Sequence, residues 1–244
     1  MALPRPERLA QGSFAPAAGG TPGIESGRGG NGGGRVAALR RVERKRRHVQ
    51  RTYPRGVIVP TEWLARITYS SFKLENLSIT ERDVAEALSS GAGRRALRPP
   101  QLLRIRNHVA ILRHVQRSAA RGGPLKLSMV VRWYTSISCG LSMGVDLARV
   151  GRIEQYLRRI NSPQLRLQQA IADVSQVYTQ LTVDPIFPGF NGILARLLLQ
   201  YHLARCGLPL VVLDGDVKGC DAEDALQGRI MGMVSDAYEV LLRP

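Results

Sequence analysis

The chain has 244 residues, 44% of them hydrophobic, so it is long enough to bury one sizeable core with about fifty residues to spare. Its net charge of +16 favours anionic partners, whereas an aromatic content of 5% argues against a stacking platform for single-stranded nucleic acid. The sequence contains no run of eighteen apolar residues and its first residues lack a signal-peptide core, so we expect a cytoplasmic protein without a membrane anchor.

The positive charge is concentrated near the N-terminus. Residues 1–51 hold eleven Lys or Arg against three Glu, which gives +8 of the total of +16. The first thirty-five residues are rich in Gly and cannot bury enough apolar surface to offset their ordering entropy, so they are predicted to be disordered. Residues 35–51 predict a basic helix that either binds nucleic acid or an acidic partner, or is a solvated segment without a partner. The predicted regions are therefore a tail over 1–51 and a helical domain over 52–244.

Apolar residues recur at helical spacing through the rest of the chain, which predicts an all-α fold. The predicted helices cover residues 61–75, 77–88, 99–115, 125–137, 150–160, 168–181, 193–206 and 222–242. The segment from Ile193 to Cys206 is apolar around most of its axis, so it is predicted to be the buried central helix. Thr61 and Thr80 are predicted as helix N-caps, with Asp83 completing a capping box after Thr80.

The histidines and cysteines do not predict a metal site. His108 and His114 are six residues apart on one predicted helix, so they lie on opposite sides and cannot bind the same ion. The acidic residues around Asp214 and Asp216 do not fit a calcium loop and predict a turn before the last helix. The cysteines show no Cys-x-x-Cys spacing and are interpreted as reduced thiols; they are Cys139, Cys206 and Cys220.

A turn-rich loop from Asp184 to Gly192 precedes the predicted central helix. The first amides of that helix have no intrahelical partner and carry the positive end of the helix dipole. Gly189 and Gly192 allow a ligand to approach the backbone. The loop therefore predicts either a phosphate-binding cradle or a tight turn before a core helix.

The run FPGFNGILARLLL resembles the signature of the Fic (Fido) family. That pattern is His-Pro-Phe, two or three variable residues ending in Gly, then Asn-Gly-Arg, two residues and Arg. Aligned without a gap, the matching residues are Phe187, Asn191, Gly192 and Arg196. The catalytic His of the family falls on Pro185, its first Arg on Ile193, and the Gly before its Asn on Phe190. The resemblance extends from about Ser70 to Gly219.

A second short motif lies upstream of the signature. The run SFKLEN, from Ser71 to Asn76, resembles the inhibitory motif of the same family, which is Ser or Thr, three residues, Glu, then Gly or Asn. In that family the helix packs beside the nucleotide site, and its Glu pairs with the second Arg of the signature. The resemblance implies that Ser71, Glu75 and Asn76 form an inhibitory helix end and that Glu75 pairs with Arg196. Removing either partner of such a buried pair is expected to destabilise the fold by about 3–5 kcal/mol.

The resemblance also implies an architecture and an activity. The fold would be a Fic-like helical bundle, with a small β-hairpin flap near residues 138–146 that docks a target peptide by strand addition. Fic enzymes transfer AMP from ATP to protein hydroxyl groups, which implies ATP and magnesium as cofactors if any activity remains, and an unknown protein target or regulator as partner. The residues that would contact a nucleotide or another anion are Gly189, Asn191, Gly192 and Arg196.

Several catalytic parts of the family are missing from this sequence. Pro185 has no proton-accepting nitrogen, Ile193 offers nothing to phosphates, and Gly189 stands at the magnesium position. Asp184 is the remaining candidate base, and an ordinary Asp is a weak base near neutral pH. The sequence therefore predicts a catalytically degenerate Fic-fold protein with a structural or regulatory role, compatible with a homo-oligomer. Two alternatives stay open: a residual AMP-transferring enzyme that uses ATP, and a nucleic-acid-binding module that acts through residues 35–51.

Overall fold

The computed structural model describes residues 31–52, 59–89, 98–139, 147–162, 167–183, 185–213 and 223–242. Within these ranges the chain forms helices joined by turns and extended segments, without a β-strand, so the all-α prediction is confirmed. None of the helices in these ranges combines the length and hydropathy that crossing a bilayer requires. The helices are α1 (Asn31–Thr52), α2 (Thr61–Lys73), α3 (Glu81–Leu88), α4 (Pro99–Ala120), α5 (Leu127–Ile137), α6 (Leu147–Asn161), α7 (Leu167–Val183), α8 (Asn191–Arg205) and α9 (Glu223–Leu241).

Helix α8 forms the centre of the bundle, as its sequence predicts. Every residue from Ile193 to Leu203 is buried, so most of the helix has no face toward solvent. Helices α7 and α4 pack most extensively against it, and α2 and α5 complete its surroundings. A helix that is apolar on all sides is stable only inside a core. These four helices therefore surround α8, and further helices pack on them.

The helix N-termini confirm one capping prediction and contradict another. Thr80 Oγ1 accepts the Asp83 N–H at 3.1 Å, and Asp83 Oδ2 accepts the Thr80 N–H at 2.8 Å, which completes the predicted capping box. Thr61 was predicted as the cap of α2 but is its first helical residue. The reason is that the Pro60 carbonyl already accepts the Leu64 N–H at 3.1 Å, so helical hydrogen bonding begins one residue earlier.

An extended segment after α8, residues 208–213, fixes α2 beside the central helix. Gln200 of α8 pairs with both backbone groups of Val211: its Nε2 donates to the carbonyl at 2.6 Å and its Oε1 accepts the N–H at 2.9 Å. On the other side, Trp63 of α2 donates its indole N–H to the Leu210 carbonyl at 2.9 Å. Side chains from two helices thus satisfy backbone groups that a strand partner would otherwise satisfy.

Helix α1 packs against the body of the protein through one side. Val42 and Val49 are buried in the common core. Lys45 forms an ion pair with Glu239 of α9, next to these apolar contacts. Helix α1 therefore has one apolar side that is buried against the protein, although most of its residues are polar.

The division into a tail over 1–51 and a helical domain over 52–244 stays a prediction. Helix α1 belongs to the compact unit that spans Gly32–Pro244. The physical reason is the burial of the valines of α1, which composition alone does not predict. The predicted disorder of residues 1–35 is wrong for residues 31–35, which form the first turn of α1. Several other sequence predictions fall outside the described residues and stay predictions: the disorder of residues 1–30, the flap residues 140–146, Asp184, and the acidic turn within 214–222.

The docking of α1 can be tested with two valines of the same helix. Val42→Ala is expected to lower the free energy of unfolding by about 1–3 kcal/mol, because it removes two buried methyl groups and leaves a space in the core. Val36→Ala is the matched control, since Val36 is 48% exposed, and it should change the free energy by less than about 0.5 kcal/mol. Urea denaturation followed by circular dichroism gives both values. Equal unfolding midpoints for the two variants would show that α1 is not docked.

Candidate functional site

The arginine that matches the end of the Fic signature is buried and held by the C-terminal end of α2. Arg196 lies on α8, and its side chain is 5% exposed. Its Nε donates to Ser71 Oγ and its Nη2 donates to the Ser71 carbonyl, both at 2.8 Å. Nη2 also lies 2.8 Å from Glu75 Oε1. A buried guanidinium needs acceptors for its N–H groups and an opposite charge, and these two residues provide both.

The Glu75 carboxylate lies over the N-terminus of α8. A Cβ built on Gly192 would overlap Glu75 Oε1 and would come within 3.0 Å of Arg196 Nη1, so a larger residue here would displace the carboxylate from its position. The first intrahelical hydrogen bond of α8 runs from the Leu194 N–H to the Phe190 carbonyl, so the preceding amides have no helical acceptor. The positive end of the helix dipole therefore stabilises the carboxylate. Glu75 occupies the place that an anionic ligand takes at a helix N-terminus.

A tight turn after α2 directs Glu75 toward α8. Asn76 has a φ of +55°, in the left-handed region. Its N–H donates to the Lys73 carbonyl at 3.0 Å, and the Leu77 N–H donates to the Phe72 carbonyl at 3.1 Å, which is the Schellman arrangement. Gly and Asn tolerate this backbone conformation best, which explains why either residue suits the position after the Glu. Asn76 thus shapes the turn.

Asn191 holds the loop that precedes α8. Its Oδ1 accepts the N–H groups of Ile186 and Phe187 at 3.0 and 2.8 Å. Its Nδ2 donates to the Phe187 carbonyl and, at 3.4 Å, to the Gly189 carbonyl. The loop backbone therefore uses both polar atoms of this side chain. Any contact of Asn191 with an anion would have to come from its backbone N–H.

Aromatic side chains support the same loop. Phe187 stacks on Tyr134 of α5 with the ring centroids 4.2 Å apart, and the Tyr134 hydroxyl donates to the Pro188 carbonyl at 3.3 Å. Burial raises the pKa of Tyr134, which keeps this donor protonated. Phe190 has a φ of +56°, and its ring lies 4.8 Å from the Arg104 guanidinium. A left-handed backbone at a bulky residue costs about 1–3 kcal/mol, so the surrounding contacts must hold the loop in place.

Helix α4 places a buried histidine beside these groups. His108 Nδ1 lies 3.0 Å from Thr68 Oγ1, and its ring meets the Phe72 ring edge-on at 5.1 Å. Nε2 has no hydrogen-bond partner among the described residues, and His108 lines a small cavity together with Ser71 and Arg196. Burial, and to a lesser extent the Arg196 charge, lower the pKa of His108 to about 3. The ring is therefore neutral at physiological pH.

Solved structures with the same arrangement of helices identify the fold. Neither a family model nor a curated protein matches the sequence. A Fic-domain-containing signalling protein from Bacteroides thetaiotaomicron aligns with a TM-score of 0.65 at 12% identity, over 84% of this chain and 95% of its own. A fragment of Fic-1 from C. elegans aligns with a TM-score of 0.65 at 14% identity, over 85% of this chain and 70% of its own. The chain has a Fic fold. A variant of the C. elegans fragment with one Glu replaced by Gly gives a TM-score of 0.64.

The Fic fold of this chain lacks reactive groups at the described positions that resemble the catalytic residues of the family. Pro185 and Gly189 are exposed but carry no ionisable side chain, and Ile193 is fully buried. Within the ranges that the structure describes, no three His, Cys, Asp or Glu side chains come together as metal ligands. What the Fic fold retains here is the helix N-terminus, which Glu75 occupies.

The geometry of the Glu75–Arg196 contact predicts that replacing Arg196 destabilises the fold more than replacing Glu75. Arg196→Ala should destabilise the fold by about 3–5 kcal/mol, because it leaves the carboxylate without its partner and empties a buried space. Glu75→Ala should cost less, about 1–3 kcal/mol, since Arg196 keeps both Ser71 contacts and the Glu75 side chain is 22% exposed. Glu154→Ala removes an exposed carboxylate on α6 and should change stability by less than about 0.5 kcal/mol. Chemical denaturation measures all three, and wild-type midpoints for the first two would contradict the assignment.

His108 predicts a pH dependence of stability. Its pKa is about 3 in the folded protein and about 6.5 in the unfolded chain. As the pH falls, the unfolded state therefore binds a proton at a higher pH than the folded state does. The free energy of unfolding should therefore decrease from pH 6.5 toward pH 4, with a contribution from this group of up to about 1.4 kcal/mol per pH unit. His108→Gln should remove that part of the slope in urea titrations at successive pH values. An unchanged slope would contradict a neutral buried ring.

Proposed function

We propose that this protein is a catalytically degenerate Fic-fold protein in which Glu75 closes the anion-binding end of α8 as a permanent part of the structure. The observation that carries this proposal is the position of the Glu75 carboxylate over Gly192, bound to the buried Arg196. The likeness to Fic-domain structures supports the architecture on which the proposal rests.

The chemistry of AMP transfer supports the loss of activity. The reaction needs a base that removes the proton of the attacked hydroxyl group, and such a base contributes about 10²- to 10⁴-fold to the rate. Pro185 stands where the Fic resemblance places that base, and it has no proton-accepting atom in its ring. The negative charge of Glu75 also repels a phosphate from the free amides of α8.

A catalytically degenerate Fic-fold protein acts by binding other molecules and not by catalysing a reaction. The similar protein from Bacteroides thetaiotaomicron is described as a signalling protein, which supports a regulatory role for this architecture. The role that we propose is therefore structural or regulatory, with a protein partner that recognises the folded body.

Incubation with labelled ATP, magnesium and a cell lysate tests the absence of transfer, with an active Fic enzyme as the positive control. Wild type and Glu75→Ala should both leave the lysate unlabelled, because removing the carboxylate does not restore a base. The variant distinguishes a degenerate site from a blocked one. Labelling that appears only with Glu75→Ala would show that the site can transfer AMP and that Glu75 merely blocks it. This result would overturn the proposal. Label with wild type that disappears in Asn191→Ala would overturn it as well.

A thermal-shift titration tests whether Glu75 prevents anions from binding at the N-terminus of α8. A ligand that binds only the folded state raises the melting temperature, so wild type should respond to neither AMP, ADP and ATP nor inorganic phosphate. Phosphate should raise the melting temperature of Glu75→Ala measurably. The reason is that the α8 amides and Arg196 have no carboxylate beside them in this variant and can bind the phosphate instead. Glu75→Gln removes the charge while keeping the side-chain shape, and its response should be smaller. An equal response of wild type and Glu75→Ala would show that the carboxylate does not close the site.

A further inference from the structure

Helix α1 presents a row of arginines to solvent. At 100° per residue, these side chains fall within an arc of about 120° on one side of the helix. Each is exposed, and His48 lies exposed among them. The helix holds eight Lys or Arg and a single acidic residue, Glu43. The members of this arginine row are Arg40, Arg41, Arg44, Arg47 and Arg51.

The opposite side of α1 is anchored, which makes the arginine row part of the folded body. Val42 and Val49 are buried in the core. Arg35 pairs with Asp224 at the start of α9 at 2.5 Å, and Lys45 pairs with Glu239 further along the same helix. A partner would therefore meet a preformed basic surface and would not have to order a disordered segment, which lowers the entropic cost of binding.

The arginine row has little negative charge of its own to balance it. In the part of the chain that the structure describes, Arg40, Arg41, Arg44 and Arg51 form no ion pair. Arg47 lies 3.1 Å from Glu43, but its side chain is 68% exposed, so this pair is screened by water. Like charges three and four residues apart destabilise a helix. A polyanion bound along the row would relieve that repulsion.

We propose that the arginine row is a docking surface for the phosphate backbone of double-stranded nucleic acid. Arginine forms bidentate, charge-assisted hydrogen bonds with phosphate, and the row consists of arginines alone. From Arg40 to Arg51 the row extends over about 16 Å of helix, while a duplex presents one negative charge per roughly 1.7 Å of its axis. Helix α1 contains no aromatic residue, so the stacking that single strands require is missing. The recognition is independent of base sequence, because phosphate contacts carry no sequence information.

Two other anionic partners fit the structure less well. A helix that binds a membrane surface inserts its apolar face between lipids, and the apolar face of α1 is already buried against the protein. Stable contacts with an acidic protein usually combine arginines with buried aromatic anchors, and the exposed side of α1 has none. The charge pattern therefore favours nucleic acid over both.

The test is a fluorescence-anisotropy titration of the full chain against a labelled duplex of about 20 base pairs and arbitrary sequence. Binding at 50 mM salt should weaken by about 500-fold at 200 mM salt if five phosphates are contacted. The combined variant Arg40→Gln, Arg44→Gln and Arg51→Gln should flatten the slope of log K against log salt by about 3 units and weaken binding at 50 mM by roughly tenfold or more. These side chains are exposed, so circular dichroism should show an unchanged fold.

Helix α4 offers a control matched in charge and geometry. Arg106, Arg113 and Arg117 are also exposed on one helix face, and replacing all three with Gln removes the same charge. This control should change duplex affinity by less than about twofold. An equal loss in both triple variants would show attraction to the net charge of the whole protein and would overturn the proposal.

Three further results would also overturn it. One is the absence of duplex binding by wild type at 50 mM salt. The others are binding to phosphatidylserine vesicles or to polyglutamate that is as tight as binding to the duplex. The proposal is independent of the closed site at α8, because the substituted arginines do not contact Glu75 or Arg196, and either idea can fail without the other.

Discussion

The burial of one guanidinium group constrains much of this structure. Arg196 lies on a helix that is otherwise surrounded by apolar side chains, where an unpaired charge would be very unfavourable. The C-terminal end of α2 must therefore lie next to Arg196 on α8. The extended segment 208–213 keeps it there through its hydrogen bonds with Trp63 and Gln200. The left-handed turn after α2 then brings Glu75 to the same guanidinium.

The residues that match the Fic signature all have structural roles in this chain. Asn191 uses its amide to tie the preceding loop, and Phe187 stacks on an aromatic ring of α5. Gly192 makes room for a carboxylate, and Arg196 is held by Ser71 and that carboxylate. These roles need neither a nucleotide nor a base. A chain can therefore keep this part of the signature for the sake of its fold while other positions of the signature change.

Local patterns in the sequence predicted the helices well, because periodic burial leaves a direct trace in a sequence. The pairing of Glu75 with Arg196, 121 residues apart, came from the order of two family motifs and not from any local pattern. Contacts without such a template could not be predicted. His108 beside Thr68 is one example, since nothing in either helix indicates which residues face each other across 40 positions. The docking of α1 leaves little trace in the sequence, because its two buried valines are outnumbered by charged neighbours.

The pairing of α1 with α9 has a consequence for how the protein is made. Arg35 and Asp224 are 189 residues apart, so α1 leaves the ribosome well before α9, which carries its ion-pair partner, has been synthesised. At typical elongation rates this delay is roughly 10–40 s. During that interval Arg35 and Lys45 lack the carboxylates of α9 with which they pair in the folded protein. The complete set of α1 contacts therefore forms only after α9 has been translated.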